Sequence, residues 1–142
     1  MKMQEKISIL YLDDEAICLE VFEEVFGDEY EVLTVSTLGE ARAALEVRDF
    51  DIVISDQLMP ETDGLTFLRE VARNHGQAFR IMLTGSVGLG QVIAEVGAGI
   101  IHLFVTKPWS EVNMRQALER ASIDRRTPPR TTPRNQLRRN VA

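Results

Sequence analysis

At 142 residues, 44% of them hydrophobic and 27% charged, the chain has the size and balance of one soluble globular domain able to hide roughly two-thirds of its surface, and two full domains would not fit. No apolar run approaches the roughly 18 residues a membrane-spanning helix needs, and one cysteine with two scattered histidines makes neither a disulfide framework nor a thiolate zinc site, so a metal here must be held by oxygen. The net charge of −6 divides unevenly: residues 1–123 carry 10 Lys/Arg against 21 Asp/Glu, a net of −11, and residues 124–142 carry six Arg against one Asp, a net of +5.

The N-terminal Met-Lys-Met-Gln-Glu-Lys runs into an apolar stretch too short for a secretory signal, which makes the cytoplasm the expected compartment, with no membrane contact. That stretch, 7–12, is the first of five predicted strands; the others are 30–35, 51–55, 80–83 and 101–105, most of them too uniformly apolar to be half-exposed. After the first strand, Ile17, Val21 and Val25 recur every four residues opposite Glu20, Glu23 and Glu24, predicting an amphipathic helix with Cys18 on it and Gly27 as its stop. Thr37 and Glu40 form a capping-box pattern ahead of a second helix with an Ala41, Ala44, Leu45 stripe. Leu65, Leu68 and Val71 mark a third helix that ends near Asn74–Gly76, and 87–97 a weaker fourth in which Gly88 and Gly90 each cost about 1 kcal/mol relative to Ala. Ser110 can cap a fifth helix whose stripe is Met114, Leu118 and Ala121. From Ile123 onward the composition changes. The segment 124–142, with three of the five prolines and few apolar residues, cannot bury enough surface to order itself, and is expected to be a basic Pro/Arg-rich tail or linker stub on a body spanning 1–123. Nucleic-acid contact by its arginines is the weaker reading, since no aromatic residue interleaves with them to stack on bases.

Strands alternating with helices predict an α/β fold, a doubly wound parallel sheet of five strands in the order 2-1-3-4-5 with five helices around it. In such sheets ligands collect beyond the carboxyl ends of the strands. Those ends carry Asp13 and Asp14 after the first strand, Asp56 after the third, Thr84 after the fourth and Lys107 after the fifth. Three carboxylates so close would repel unless a cation lay between them, and Mg²⁺ suits an all-oxygen site. With an ammonium and a hydroxyl added, the site has what an incoming phosphoryl group needs for charge neutralisation. The glycines at 85, 88 and 90 make no phosphate-binding loop signature, and neither His75 nor His102 has the setting of a phosphate donor.

The segments LYLDDE at 10–15, ISDQLMPETDGL at 54–65, MLTGS at 82–86 and FVTKPW at 104–109 resemble, in order and spacing, the receiver domains of two-component response regulators, over about residues 5–122. The resemblance implies a flavodoxin-like fold in which Asp56 is the phosphoacceptor. It also implies that Asp13, Asp14 and Asp56 bind Mg²⁺ with the backbone carbonyl of Leu58, that Thr84 and Lys107 bind phosphoryl oxygens, and that the peptide before Pro108 is cis. The implied donor is a histidine kinase or phosphotransfer protein. Its phosphoryl group would switch a surface made of the fourth helix, fifth strand and fifth helix, to control an output partner or domain, or a homodimer through that same face. Thr84 and Phe104 are the implied switch pair; a phenylalanine gains nothing from a wet outward rotamer, so the ring is expected inward. Leu58 and Ser86 occupy positions that tune loss of the acyl phosphate, and an apolar Leu58 that cannot orient water predicts slow self-hydrolysis in a protein that is otherwise no enzyme. Two rival readings remain: a module that docks its partner whatever the state of Asp56, and a metal-dependent phosphohydrolase, which would need a second acid where Leu58 stands.

Overall fold

Uniform apolarity decides which strands lie inside the sheet. In the computed structural model, which describes residues 6–57, 59, 63–85, 94 and 98–126, β1 (Ser8–Leu12), β3 (Ile52–Asp56) and β4 (Phe79–Thr84) are buried at every position. β2 (Glu31–Val35) and β5 (Leu103–Thr106) alternate between covered and exposed positions, and they form the two edges. All pairings are parallel and the order is β2-β1-β3-β4-β5. The elements α1 (Ala16–Phe26), α2 (Leu38–Val47), α3 (Gly64–Asn74) and the C-terminal helix (Glu111–Arg126) complete the described fold. The predicted fourth helix lies mostly outside the described residues, as do Leu58, Ser86 and 127–142; the C-terminal helix continues to Arg126, past the composition change. No described helix is long and apolar enough to cross a membrane.

Alternation along the strands divides the core between the two faces. Ile9, Tyr11, Ile52, Ile54, Ile81 and Leu83 meet α1 and the C-terminal helix, whereas Leu10, Leu12, Val53 and Met82 meet α2 and α3. Local signals behave as chemistry requires: Thr37 Oγ1 accepts from the Glu40 N–H, and Asn113 N–H donates to Ser110 Oγ. The Glu40 carboxylate reaches back to the Ser36 N–H.

One expectation is overturned. The stripe of Ile17, Val21 and Val25 is not the side the helix buries: Ile17 is 70% and Val21 45% exposed, Val25 packs only partly against the core, and the buried side of α1 is Leu19, Phe22 and Phe26. The reason is aromatic packing. Phe22 stands edge-on to Tyr11 with ring centroids 4.8 Å apart and contacts Phe26 and Trp109, and aromatic rings remove more apolar surface from water than branched aliphatics do. The helix therefore turns its phenylalanines inward and leaves Ile17 and Val21 outside.

Candidate functional site

The register places Leu12 opposite Ser55, so Asp13 and Asp56 leave adjacent strand ends. Asp13 is fully buried; its Oδ2 accepts from the Tyr11 hydroxyl at 2.7 Å and its Oδ1 from the Glu15 N–H at 3.0 Å. Burial first, and the Asp13 charge second, push the Tyr11 phenol far above its ordinary pKa, so it remains a donor. Asp14 is exposed. One carboxylate oxygen from each of Asp13, Asp14 and Asp56 lies within 4.8 Å of the other two.

Lys107 leaves β5 and is joined to Pro108 by a cis peptide. Its Nζ stands 3.1 Å from Asp56 Oδ2, 3.2 Å from Asp13 Oδ2 and 2.7 Å from Glu15 Oε1. Burial draws the lysine pKa down, but the hydrogen bond to Glu15 and the charges of Asp13 and Asp56 outweigh it, so the ammonium stays charged well above the usual lysine range. In turn the hydrogen bond and charge of Lys107 hold the Glu15 carboxyl below its ordinary value. Three carboxylates thus meet one ammonium, and Asp14 adds a fourth beside Asp13 and Asp56. That surplus of negative charge, on oxygen donors alone, fits a hard divalent cation: Asp13, Asp14 and Asp56 have the donor chemistry to hold it.

Thr84 ends β4, one residue beyond the Asp56–Leu83 pair, and is fully buried. Its hydroxyl donates to the side-chain carbonyl of Gln57 and lies 3.0 Å from the carbonyl of Gly85. Behind Asp56, α3 begins at Gly64, whose N–H donates to the Gln57 carbonyl at 2.8 Å, while Asp63 caps the helix by accepting from the Thr66 N–H. A Cβ on Gly64 would stand 2.0 Å from the carbonyl oxygen of Asp56, so only glycine lets the helix start this close to the strand end.

The structure brings Asp13, Asp14, Asp56 and Lys107 together at one mouth, with Thr84 at the neighbouring strand end. Phe104 is not turned inward as expected: on the edge strand it is 36% exposed, on the opposite face from buried Val105. Four contributors went unrecognised in the sequence. Tyr11 is two residues before Asp13 and so shares its face of the strand; Glu15 directly follows the Asp pair; Gln57 directly follows Asp56; Gly64 is seen only as part of a motif.

The chain matches the response regulator receiver domain family over residues 9–119, and it belongs to that family. The hydrogenase transcriptional regulatory protein HoxA of Cupriavidus necator is 33% identical over 116 residues, which are 79% of this chain and 24% of that protein. A response regulator receiver domain protein from Clostridium thermocellum has a solved structure 29% identical with a TM-score of 0.74, covering 81% of this chain and 93% of that one. The signal receiver domain of an HD domain-containing protein from Pseudomonas fluorescens is 25% identical with a TM-score of 0.79, covering 88% and 93%. The chain spans about a quarter of the length of the curated relatives it matches first.

Proposed function

We propose that Asp56 is the phosphoacceptor of a cytoplasmic response-regulator receiver, taking its phosphoryl group from a histidine kinase or phosphotransfer protein. A carboxylate oxygen of Asp56 attacks phosphorus, the phosphorus–nitrogen bond of the donor phosphohistidine breaks, and its electron pair stays on the imidazole nitrogen. The product is an acyl phosphate. The observation that carries this reading is the Lys107 ammonium 3.1 Å from Asp56 Oδ2 in a nest of carboxylates. An isolated structural ion pair needs one carboxylate; here several converge on a strand end where a ligand can enter. Asp13, Asp14 and Asp56, with the Leu58 carbonyl as the fourth donor the resemblance implies, would hold Mg²⁺, which would supply positive charge to the phosphoryl oxygens.

Lys107 then follows the growing negative charge, and Thr84 offers its hydroxyl to a phosphoryl oxygen. Lys107 leads from β5 into the C-terminal helix, and Thr84, at the end of β4, pairs with Thr106 of β5, so a shift at either reaches the half-exposed surface around Phe104, which is the proposed output face. Some relatives are transcriptional regulators and others protein-glutamate methylesterases, so the output this receiver controls is an attached domain or a partner of unspecified type. The donor has to approach over the mouth, where Ile17 and Val21 form an exposed apolar strip beside Pro108 and Trp109. That strip is where the donor protein docks. The test is labelling by acetyl phosphate with Mg²⁺ and with a chelator, in wild type and Asp14→Ala. The reading expects labelling that needs the ion and falls sharply in Asp14→Ala; equal labelling in all four samples contradicts it.

A further inference from the structure

We propose that the resting site is held by two latches, Gln57 on Thr84 and Glu15 on Lys107, and that these two side chains set how readily the site takes up a phosphoryl group. The proposal rests on Asp56 being the acceptor. The groups offered to phosphoryl oxygens are Thr84 and Lys107, and in this structure neither waits unoccupied. The Thr84 hydroxyl is engaged by the amide of Gln57, a residue adjacent in sequence to the acceptor. The Lys107 ammonium has its shortest contact, 2.7 Å, with Glu15 Oε1, shorter than the 3.1 Å to Asp56.

A hydroxyl has one proton, so Thr84 cannot donate to Gln57 and to a phosphoryl oxygen together. Lys107 has three protons, but Glu15 lies on the solvent side, 60% exposed, and pulls the ammonium toward the mouth and away from the buried acceptor. Each latch is weak. A net hydrogen bond corresponds to about a two- to tenfold factor in affinity, and an exposed ion pair to about a two- to fivefold factor. Such values tune an equilibrium without closing it, as a reversible switch requires. Neither residue touches the reacting atoms; both are positioning residues that act through a neighbour.

The experiment measures beryllofluoride affinity at saturating Mg²⁺ for the full chain, since beryllofluoride stands in for the phosphoryl group without turnover. Gln57→Leu is expected to bind about two- to tenfold tighter and Glu15→Gln about two- to fivefold tighter, with the two gains multiplying because the latches share no partner. The gain from Gln57→Leu should vanish in a Thr84→Val background, and that from Glu15→Gln in a Lys107→Met background. A general change in stability or in charge at the mouth would persist in those backgrounds. Unchanged or weaker binding in the single variants, or gains that survive without Thr84 or Lys107, overturns the latches while leaving the acceptor reading intact. Failure of the wild type to bind beryllofluoride overturns both.

Discussion

Two glycines in helical first turns should respond oppositely to the same added methyl. A Cβ on Gly64 would stand 2.0 Å from the Asp56 carbonyl oxygen and 2.8 Å from Ser55 Oγ, against a carbon–oxygen contact of about 3.3 Å. More than about 1 Å must be made by moving backbone, because the obstacle is the strand end and not a flexible side chain. Overpacking of that kind costs about 3 kcal/mol, the top of its usual range, and the gain of up to about 1 kcal/mol for Ala over Gly in a helix offsets part of it. Gly64→Ala should therefore lose about 2 kcal/mol, and with a urea slope of about 2 kcal/mol per molar its midpoint should fall by about 1 M. Gly39, in the first turn of α2, has nothing within 4 Å of its Cβ. Gly39→Ala should gain about 0.5 kcal/mol, chiefly by restricting the unfolded chain. Urea melts of both variants provide the assay, and acetyl phosphate labelling of Gly64→Ala should slow as well, because the displaced carbonyl is that of Asp56 itself. A Gly64→Ala midpoint at or above wild type refutes the reasoning.

Burial, then the Arg80 charge, depress the His102 pKa from its ordinary 6.5 to about 4. Stability contributed by this group is full above pH 6.5 and is lost as pH falls toward 4, because the unfolded imidazole protonates first. Since His102 is more than a third exposed, water reduces the effect to about 1–2 kcal/mol; His102→Asn, which keeps an acceptor for the Arg80 N–H, should show a correspondingly shallower loss across that window in pH-dependent denaturation. The Arg80 guanidinium, nearly buried, donates to the carbonyls of Gly76, Ala78, Gly99 and Ile100. Arg80→Met leaves these acceptors unpaired, so its urea midpoint should drop by an amount equivalent to about 3 kcal/mol; a shift below about 1 kcal/mol would mean that water replaces the arginine. Ile17→Asp should slow phosphotransfer from a histidine kinase at least about tenfold, the effect of losing about 1.4 kcal/mol of docking energy, and leave acetyl phosphate labelling unchanged; equal effects on both donors would remove the docking strip.

The sheet was legible because its information is local: apolar-rich runs mark β1, β3 and β4, and a polar residue ends or directly follows each of them. The grouping of Asp13, Asp14, Asp56 and Lys107 followed from strand order alone, as right-handed crossovers leave few arrangements of five parallel strands. What stayed hidden depends on tertiary choice. The first helix carries two apolar stripes, Ile17/Val21/Val25 and Leu19/Phe22/Phe26, of equally good helical period, and only contact with Tyr11 and Trp109 selects the second. Gln57 and Glu15 read as motif wording beside stronger residues, because nothing in the sequence says that their side chains turn back onto Thr84 and Lys107. The chemistry of Phe104 alone favours an inward ring, whereas its position on an edge strand leaves the ring partly in water.

The central claim is that Asp56 takes the phosphoryl group, and the most direct measurement is chemical identification of the labelled residue. Protein treated with acetyl phosphate and Mg²⁺, reduced with borohydride and digested, should give one modified peptide, with the modification at Asp56, and Asp56→Asn should give none. Label on another residue, or undiminished labelling of Asp56→Asn, would contradict the account.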